Sequence, residues 1–215
     1  KELTDFIFDA STQPYGPYLI QVPLDLQKMN VNANSLKKNN KRGRDNLLKE
    51  ELNNFKLLIT EKLKVSSRPI LLLGGGLRSI EGKRYVKSML NKTKIPTLLS
   101  WAAKDLINFS NQNFCGLPGY FCNRGANTSL HYSDLLIVIG TRLDPLQTGY
   151  QGENFYKQRE IIIVDIDEQE LDKHPISSKN KFKIESVDAL DVLNICLNNN
   201  LNKFSGWTKI CRNFY

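Results

Sequence analysis

At 215 residues the chain can hold one large or two small domains and bury a substantial core. With 40% hydrophobic and 24% charged residues it reads as a globular protein, and no apolar run approaches the roughly 18 residues of a membrane span, so no membrane role is expected. The net charge of +8 invites a nucleic-acid reading, but the basic run from Lys37 to Arg44 is rich in Asn and carries no aromatic residue for base stacking. It reads as solvated linker, with no nucleic-acid partner.

In chain order, Phe6–Ala10 has helical spacing, and Tyr18–Val22 reads as a strand halted by Pro23. From Met29 to Arg44 periodicity vanishes into Asn and Lys, a linker composition. Asn46–Lys64 is an amphipathic helix whose Leu47, Leu48, Leu52, Phe55, Leu58, Ile59 and Leu63 fall three or four apart. Pro69–Leu73 is a buried strand running into Gly74-Gly75-Gly76, and a helix over Ile80–Asn91 follows. Ile95–Leu99 is the second strand, and Phe114-Cys115 a brief third before Gly116. A short helix with Ala126, Leu130 and Tyr132 facing inward leads to Leu135–Ile139, an uninterrupted apolar run that reads as a strand buried on both faces. Ile161–Val164 is the fifth strand, Lys181–Ile184 a weak sixth, and Val187–Leu197 a closing helix.

Strands alternating with helices at this spacing imply an α/β fold: a Rossmann-like, six-stranded parallel sheet with helices on both faces and right-handed crossovers. The boundaries expected are a lead-in or end of a preceding domain over 1–27, a linker over 28–45, a central Rossmann-like domain over 46–200, and the start of a connection to a following domain over 201–215. The N-terminus has no signal-peptide pattern. Cys115, Cys122, Cys196 and Cys211 match no zinc spacing and read as free thiols of a reducing cytoplasm.

Three places could carry chemistry. Gly74, Gly75 and Gly76, followed by Leu77, form a phosphate-binding candidate, since glycines admit a ligand to the backbone and a helix start offers N–H groups. The spacing is no G-x-G-x-x-G, and plain turn geometry is the alternative. Gly140-Thr141-Arg142 is the second, where Arg142 either grips a pyrophosphate or pairs with Asp144 or Asp165. At the third, Asp165 and Asp167 either accept from a ribose or cap the following helix. His131 and His174 have no second ligand at metal spacing, and no metal site is expected.

Taken together, the segments resemble the central domain of thiamine diphosphate-dependent enzymes, close to the acetolactate synthase-like group. The resemblance rests on Gly16–Gln27, Arg68–Gly76, Ile95–Thr97, Gly116–Gly119, Ala126-Asn127, Ser133–Leu136, Gly140–Asp144, Gln147–Gly149 and Val164–Lys173. Gly16–Gln27 is similar to the segment that closes the family's N-terminal, pyrimidine-binding domain. Gln147-Thr148-Gly149-Tyr150 is similar to members found in bacterial surface-polysaccharide clusters.

The resemblance implies a non-catalytic central domain of a carboligase or 2-oxoacid decarboxylase (a transferase or lyase), inactive alone. Its role would be structural and oligomer-building, in a cytoplasmic homo-oligomer, with the flanking thiamine-binding domains as partners. Thiamine diphosphate and Mg would sit in those domains of the parent enzyme. The alternative is a module binding FAD, NAD or CoA. Positions matching the family's nucleotide site are Gly74, Gly75, Gly76, Leu77, Trp101, Gly119, Gly140, Arg142, Asp165 and Asp188. FAD is possible but disfavoured, because the family's Gly-Met-His-Gly reads Gly116-Leu117-Pro118-Gly119 and a second arginine is replaced by Leu146. Each lost charge-assisted contact forfeits roughly 1.5–3 kcal/mol. The expectation is a chain with no catalytic residue that binds no cofactor.

Overall fold

A computed structural model describes residues 19–30, 46–149, 152–198 and 202–215. The chain divides into two units, 1–45 and 46–215. In the first, the described residues are exposed and hold a single 3-10 turn, Leu26–Lys28, beside which the Gln27 side-chain amide donates to the Val22 carbonyl at 2.9 Å. The expected strand is not formed: Leu19–Val22 runs without a pairing partner among the described residues, and a strand needs a neighbour for its backbone groups. Phe6–Ala10, Tyr18 and residues 31–45 lie outside the described residues.

The second unit is a parallel sheet of five strands: β1 (Pro69–Leu73), β2 (Thr97–Leu99), β3 (Leu135–Ile139), β4 (Glu160–Asp165) and β5 (Lys181–Lys183), ordered β2-β1-β3-β4-β5. β3 lies at the centre, as its unbroken apolar run requires. Five strands, not six, is a correction. Phe114-Cys115 makes one parallel bridge to Thr97 and no more. Thr97 N donates to Asn113 O at 2.7 Å and Cys115 N to Thr97 O at 2.9 Å, before Gly116 turns the chain away at φ 104°.

The sheet's alternation sorts its side chains onto two faces. Leu71, Leu73, Ile137 and Ile139 join one cluster, covered by α1 (Asn46–Val65), α2 (Ile80–Lys92) and α7 (Ser186–Asn198) through Phe55, Ile59, Leu63, Val86, Met89 and Leu193. Ile70, Leu72, Leu136 and Val138 join the other, covered by α3 (Arg124–Tyr132), α6 (Glu168–Asp172) and α8 (Ser205–Phe214) through Ala126, Leu130, Leu171, Trp207 and Cys211. Helices thus lie on both faces. α4 (Pro145–Thr148) and α5 (Gly152–Lys157) complete the set. Tyr132, expected to face inward, is 51% exposed and stacks on the Phe214 ring, because Ser129 and Leu130 fill the inner positions of α3.

Polar staples hold the frame. The Asp134 carboxylate, just before β3, accepts from the Ser66 hydroxyl at 2.5 Å and from the backbone N–H groups of Ser67 and Arg68 at 2.9 and 3.0 Å. It fastens the entry to β1 against the entry to β3. Lys203 Nζ donates to the Leu63 and Lys64 carbonyls at 2.6 and 2.8 Å, closing the C-terminus of α1. The Trp207 indole N–H donates to Pro69 O at 3.1 Å.

Candidate functional site

After β1 the chain goes to β2 on one side; β3 then returns to the other side of β1. Neighbouring strands therefore lead their connections away in opposite directions, which opens a crevice at their carboxyl ends. The crevice is a cleft of about 380 Å³. Gly75 and Gly76 form one wall, Gly140, Thr141 and Arg142 a second, and Trp101, Tyr120 and Phe121 an aromatic rim.

The two glycine turns are stitched to one another. Gly74 N donates to Ile139 O at 2.9 Å, Gly76 N to Gly140 O at 3.0 Å, and Gly140 N to Val164 O at 3.2 Å. A β-carbon at Gly74 would run into the Gly140 carbonyl, and Gly140 itself sits at φ 68°, so both positions demand glycine for backbone reasons. Two of the three N–H groups offered by Gly74–Gly76 are thereby committed. The next helix is not open at its start either: Ser79 Oγ accepts from Gly82 N at 3.0 Å and caps α2.

Arg142 is exposed at the mouth of the cleft. Neither expected carboxylate holds it. Asp144 caps α4, accepting from Leu146 N at 2.9 Å and Gln147 N at 3.2 Å. Asp165 accepts from Asp167 N at 3.0 Å, and Asp167 caps α6 by accepting from Gln169 N at 3.0 Å. Among the described residues the Arg142 guanidinium has no hydrogen bond or ion pair. Its neighbour Leu143 is held at φ 48° with its side chain buried, which turns residue 142 outward.

Of the sequence candidates, Gly75, Gly76, Gly140, Arg142 and Trp101 line the cleft. Gly74 backs the turn, and Leu77 is a fully buried core residue of the sheet's first face. Asp165 and Asp188, the latter in the first turn of α7, are not among the residues lining the cleft. Gly119 supports the rim without lining it: the Asn127 amide brackets it, accepting from Gly119 N at 2.8 Å and donating to Gly119 O at 2.9 Å. His131 is exposed on α3, whereas His174 is buried, its Nδ1 2.8 Å from the Tyr156 hydroxyl; desolvation holds its pKa below the ordinary 6.5.

Sequence reasoning missed Ser100, Tyr120, Phe121, Cys122 and Gln147 as lining residues, whereas Thr141, part of the second candidate, does line the cleft. The adjacent aromatics Tyr120 and Phe121 are exposed and fill no core position, but nothing local in the sequence says which site they reach. Their loop is carried to the cleft by Tyr120 N donating to Leu146 O at 2.8 Å. The Thr141 hydroxyl donates to Gln147 Oε1 at 3.1 Å and ties the second wall to the helix that follows it. Burial pushes the Cys122 thiol pKa up, against a partial opposing hydrogen bond from Trp101.

Comparison with known proteins bears on the fold. Residues 58–183 match the family model described as thiamine pyrophosphate enzyme, central domain. The acetolactate synthase large subunit of Porphyra purpurea is 31% identical over 166 residues, covering 75% of this chain and 27% of that protein. That of Pyropia yezoensis is 32% identical over 164 residues, with the same coverage of 75% and 27%. Acetolactate synthase isozyme 1 large subunit of Escherichia coli (strain K12) is 34% identical over 111 residues, 52% of this chain and 19% of its own length. The chain thus spans about a quarter of the length of the algal relatives, at 27% each. With the parallel sheet, its switch-point cleft and the match across more than half its length, the chain belongs to the thiamine pyrophosphate enzyme central-domain family, in its acetolactate synthase-like group.

Proposed function

We propose that this chain is a structural, non-catalytic module of a larger thiamine diphosphate-dependent carboligase or 2-oxoacid decarboxylase of the acetolactate synthase type. Its work is to pack against flanking cofactor-binding domains and to help build a cytoplasmic homo-oligomer. The observation that carries this reading is the charge content of the cleft. Arg142 and Asp144 are its charged lining residues, and Asp144 is spent as a helix cap. No base, nucleophile and oxyanion donor converge there.

Among the described residues no group of three His, Cys, Asp or Glu side chains is placed to hold a metal ion.

The second reading, a nucleotide-binding module, is favoured by one feature: the Arg142 fork, unpaired among the described residues, beside an aromatic rim at the switch point. FAD fits it poorly. Pro118 and Leu146 line the cleft where the family carries a histidine and a second arginine, leaving one cation for two phosphates.

Isothermal titration of the purified chain with FAD, NAD and CoA separates the readings, alongside an assay of pyruvate consumption. The structural reading expects a colourless protein, no saturable heat and no turnover. Micromolar binding of any of the three would replace it with the second reading; turnover by the chain alone would overturn both.

A further inference from the structure

Beyond the cleft, a second depression of about 530 Å³ lies between α3 and the α4–α5 region. Its lining includes Asn127, His131, Thr148, Asn154, Gln158 and Arg159, and no Asp or Glu. Arg159 precedes β4 and is partly buried. One guanidinium nitrogen donates to the Phe155 carbonyl at 3.3 Å, the other to Gln158 Oε1 at 2.7 Å, and the group stands 4.9 Å over the Phe155 ring. Its Nε is buried and unpartnered among the described residues.

Half-buried cations normally come with a carboxylate, because desolvating an unpaired charge is costly. Lys62 obeys this rule: its ammonium meets Glu160 at 2.9 Å. Glu160 is the next residue after Arg159, but strand alternation points it to the opposite face, so it serves Lys62 and leaves Arg159 without a counter-ion among the described residues. Burial correspondingly lowers the Arg159 pKa from its ordinary value.

We infer that this depression is an oxyanion-binding site, in which Arg159 receives the phosphate or carboxylate group of a small molecule. Arg159 brings a planar, charged donor group to the depression, its two Nη groups each keeping a second hydrogen, and its place over the Phe155 ring fixes its plane. Gln158, whose oxygen is taken by Arg159, keeps its amide N–H₂ for the same ligand. His131 and Asn154, both exposed at the depression, add donors from α3 and α5. The site is separate from the switch-point cleft in its charged group and shares with it only Tyr120 and Gln147. It does not depend on the reading of that cleft.

The test follows the arginine Nε–Hε and backbone amide resonances of the ¹⁵N-labelled full chain. Sodium phosphate, sodium acetate and sodium chloride are titrated separately at matched ionic strength. The inference expects saturable shifts centred on residues 154–159 and 131 with phosphate or acetate and none with chloride; which of the two saturates tells a phosphate ligand from a carboxylate one. Arg159→Gln is expected to weaken that binding about tenfold, and Arg159→Lys, keeping the charge without the fork, to weaken it severalfold. Should Arg159→Gln unfold, His131→Gln at an exposed position gives the same comparison, with a smaller loss and an unchanged melt. Shifts that rise linearly and equally with all three salts, or binding unaltered by the substitutions, would overturn it.

Discussion

Gly125 in α3 faces the carbonyl oxygen of Phe214 in α8 so closely that no β-carbon fits between them. The two helices meet backbone to backbone there, and this crossing seats α8 on the sheet. Gly125→Ala is expected to cost about 1–3 kcal/mol, since overpacking must move a helix and not a side chain. Urea unfolding followed by tryptophan fluorescence measures it, because Trp207 is 8% exposed and reports the departure of α8. An unchanged midpoint would mean that the helices can separate at no cost.

Asp134→Ala should be among the more damaging polar substitutions. It strips acceptors from the Ser66 hydroxyl and the Ser67 and Arg68 N–H groups together. Charge-assisted hydrogen bonds of this kind contribute on the order of 1.5–3 kcal/mol each, not additively, so a total loss of about 2–4 kcal/mol is expected. Asp134→Asn, which keeps an acceptor oxygen, should recover part of it. Equal denaturation midpoints for the wild type and both variants would contradict the stapling role.

Arg142→Ala predicts the opposite outcome. With no partner to lose among the described residues, the variant should melt within about 0.5 kcal/mol of the wild type. A clear destabilisation by calorimetry would reveal that the guanidinium works for the fold.

His174 sets a pH dependence. Burial keeps its folded pKa below the unfolded 6.5, with Lys181 pushing the same way and Glu170 and Asp165 opposing. The folded protein therefore binds fewer protons than the unfolded chain below that value. This contribution to stability is complete above pH 6.5 and declines as pH falls below it. His174→Gln should flatten the slope of denaturation midpoint against pH between about 6.5 and 5. Identical slopes in both proteins would show that some other group governs the range.

Thiol reactivity should be ordered. Cys122, half-buried at the cleft, is expected to react with a disulfide reagent first, while Cys115 and Cys211, fully buried, wait for unfolding. Cys115 is also held protonated, its thiol pKa driven far up by the neighbouring Cys211 and by burial. Peptide mapping after a brief labelling pulse checks the order; early modification of Cys115 would mean that α8 lifts off readily.

The parts of the fold legible in the sequence are those whose signal is local. Pro69–Leu73 and Leu135–Ile139 were bounded to the residue because a strand buried on both faces must be apolar at every position. Phe114-Cys115 carries the same chemistry yet stops after one bridge, since Gly116 diverts the chain; nothing in two residues sets ladder length. Leu19–Val22 has strand-like residues without a neighbour to pair with among the described residues.

At the cleft, glycine turns and Arg142 could be found because they follow strands directly. Tyr120 and Phe121 could not, because their loop is placed by bonds to Leu146 and Asn127 that only the folded chain brings near. The roles of Asp165 and Asp167 stay open in the sequence because an acid between a strand end and a helix start can either cap or bind: Asp165, the last residue of β4, accepts from Asp167 N, and Asp167 caps the helix.

The sheet's two margins carry a last consequence. β2 and β5 are each three residues long. One is shielded by the Phe114 bridge; the other alternates Lys181, Phe182 and Lys183, with Lys183 N already donating to Glu51 at 3.0 Å. Brief, charged or covered borders offer little template for another chain to add itself as an extra strand. Fibril growth through this sheet is thereby discouraged.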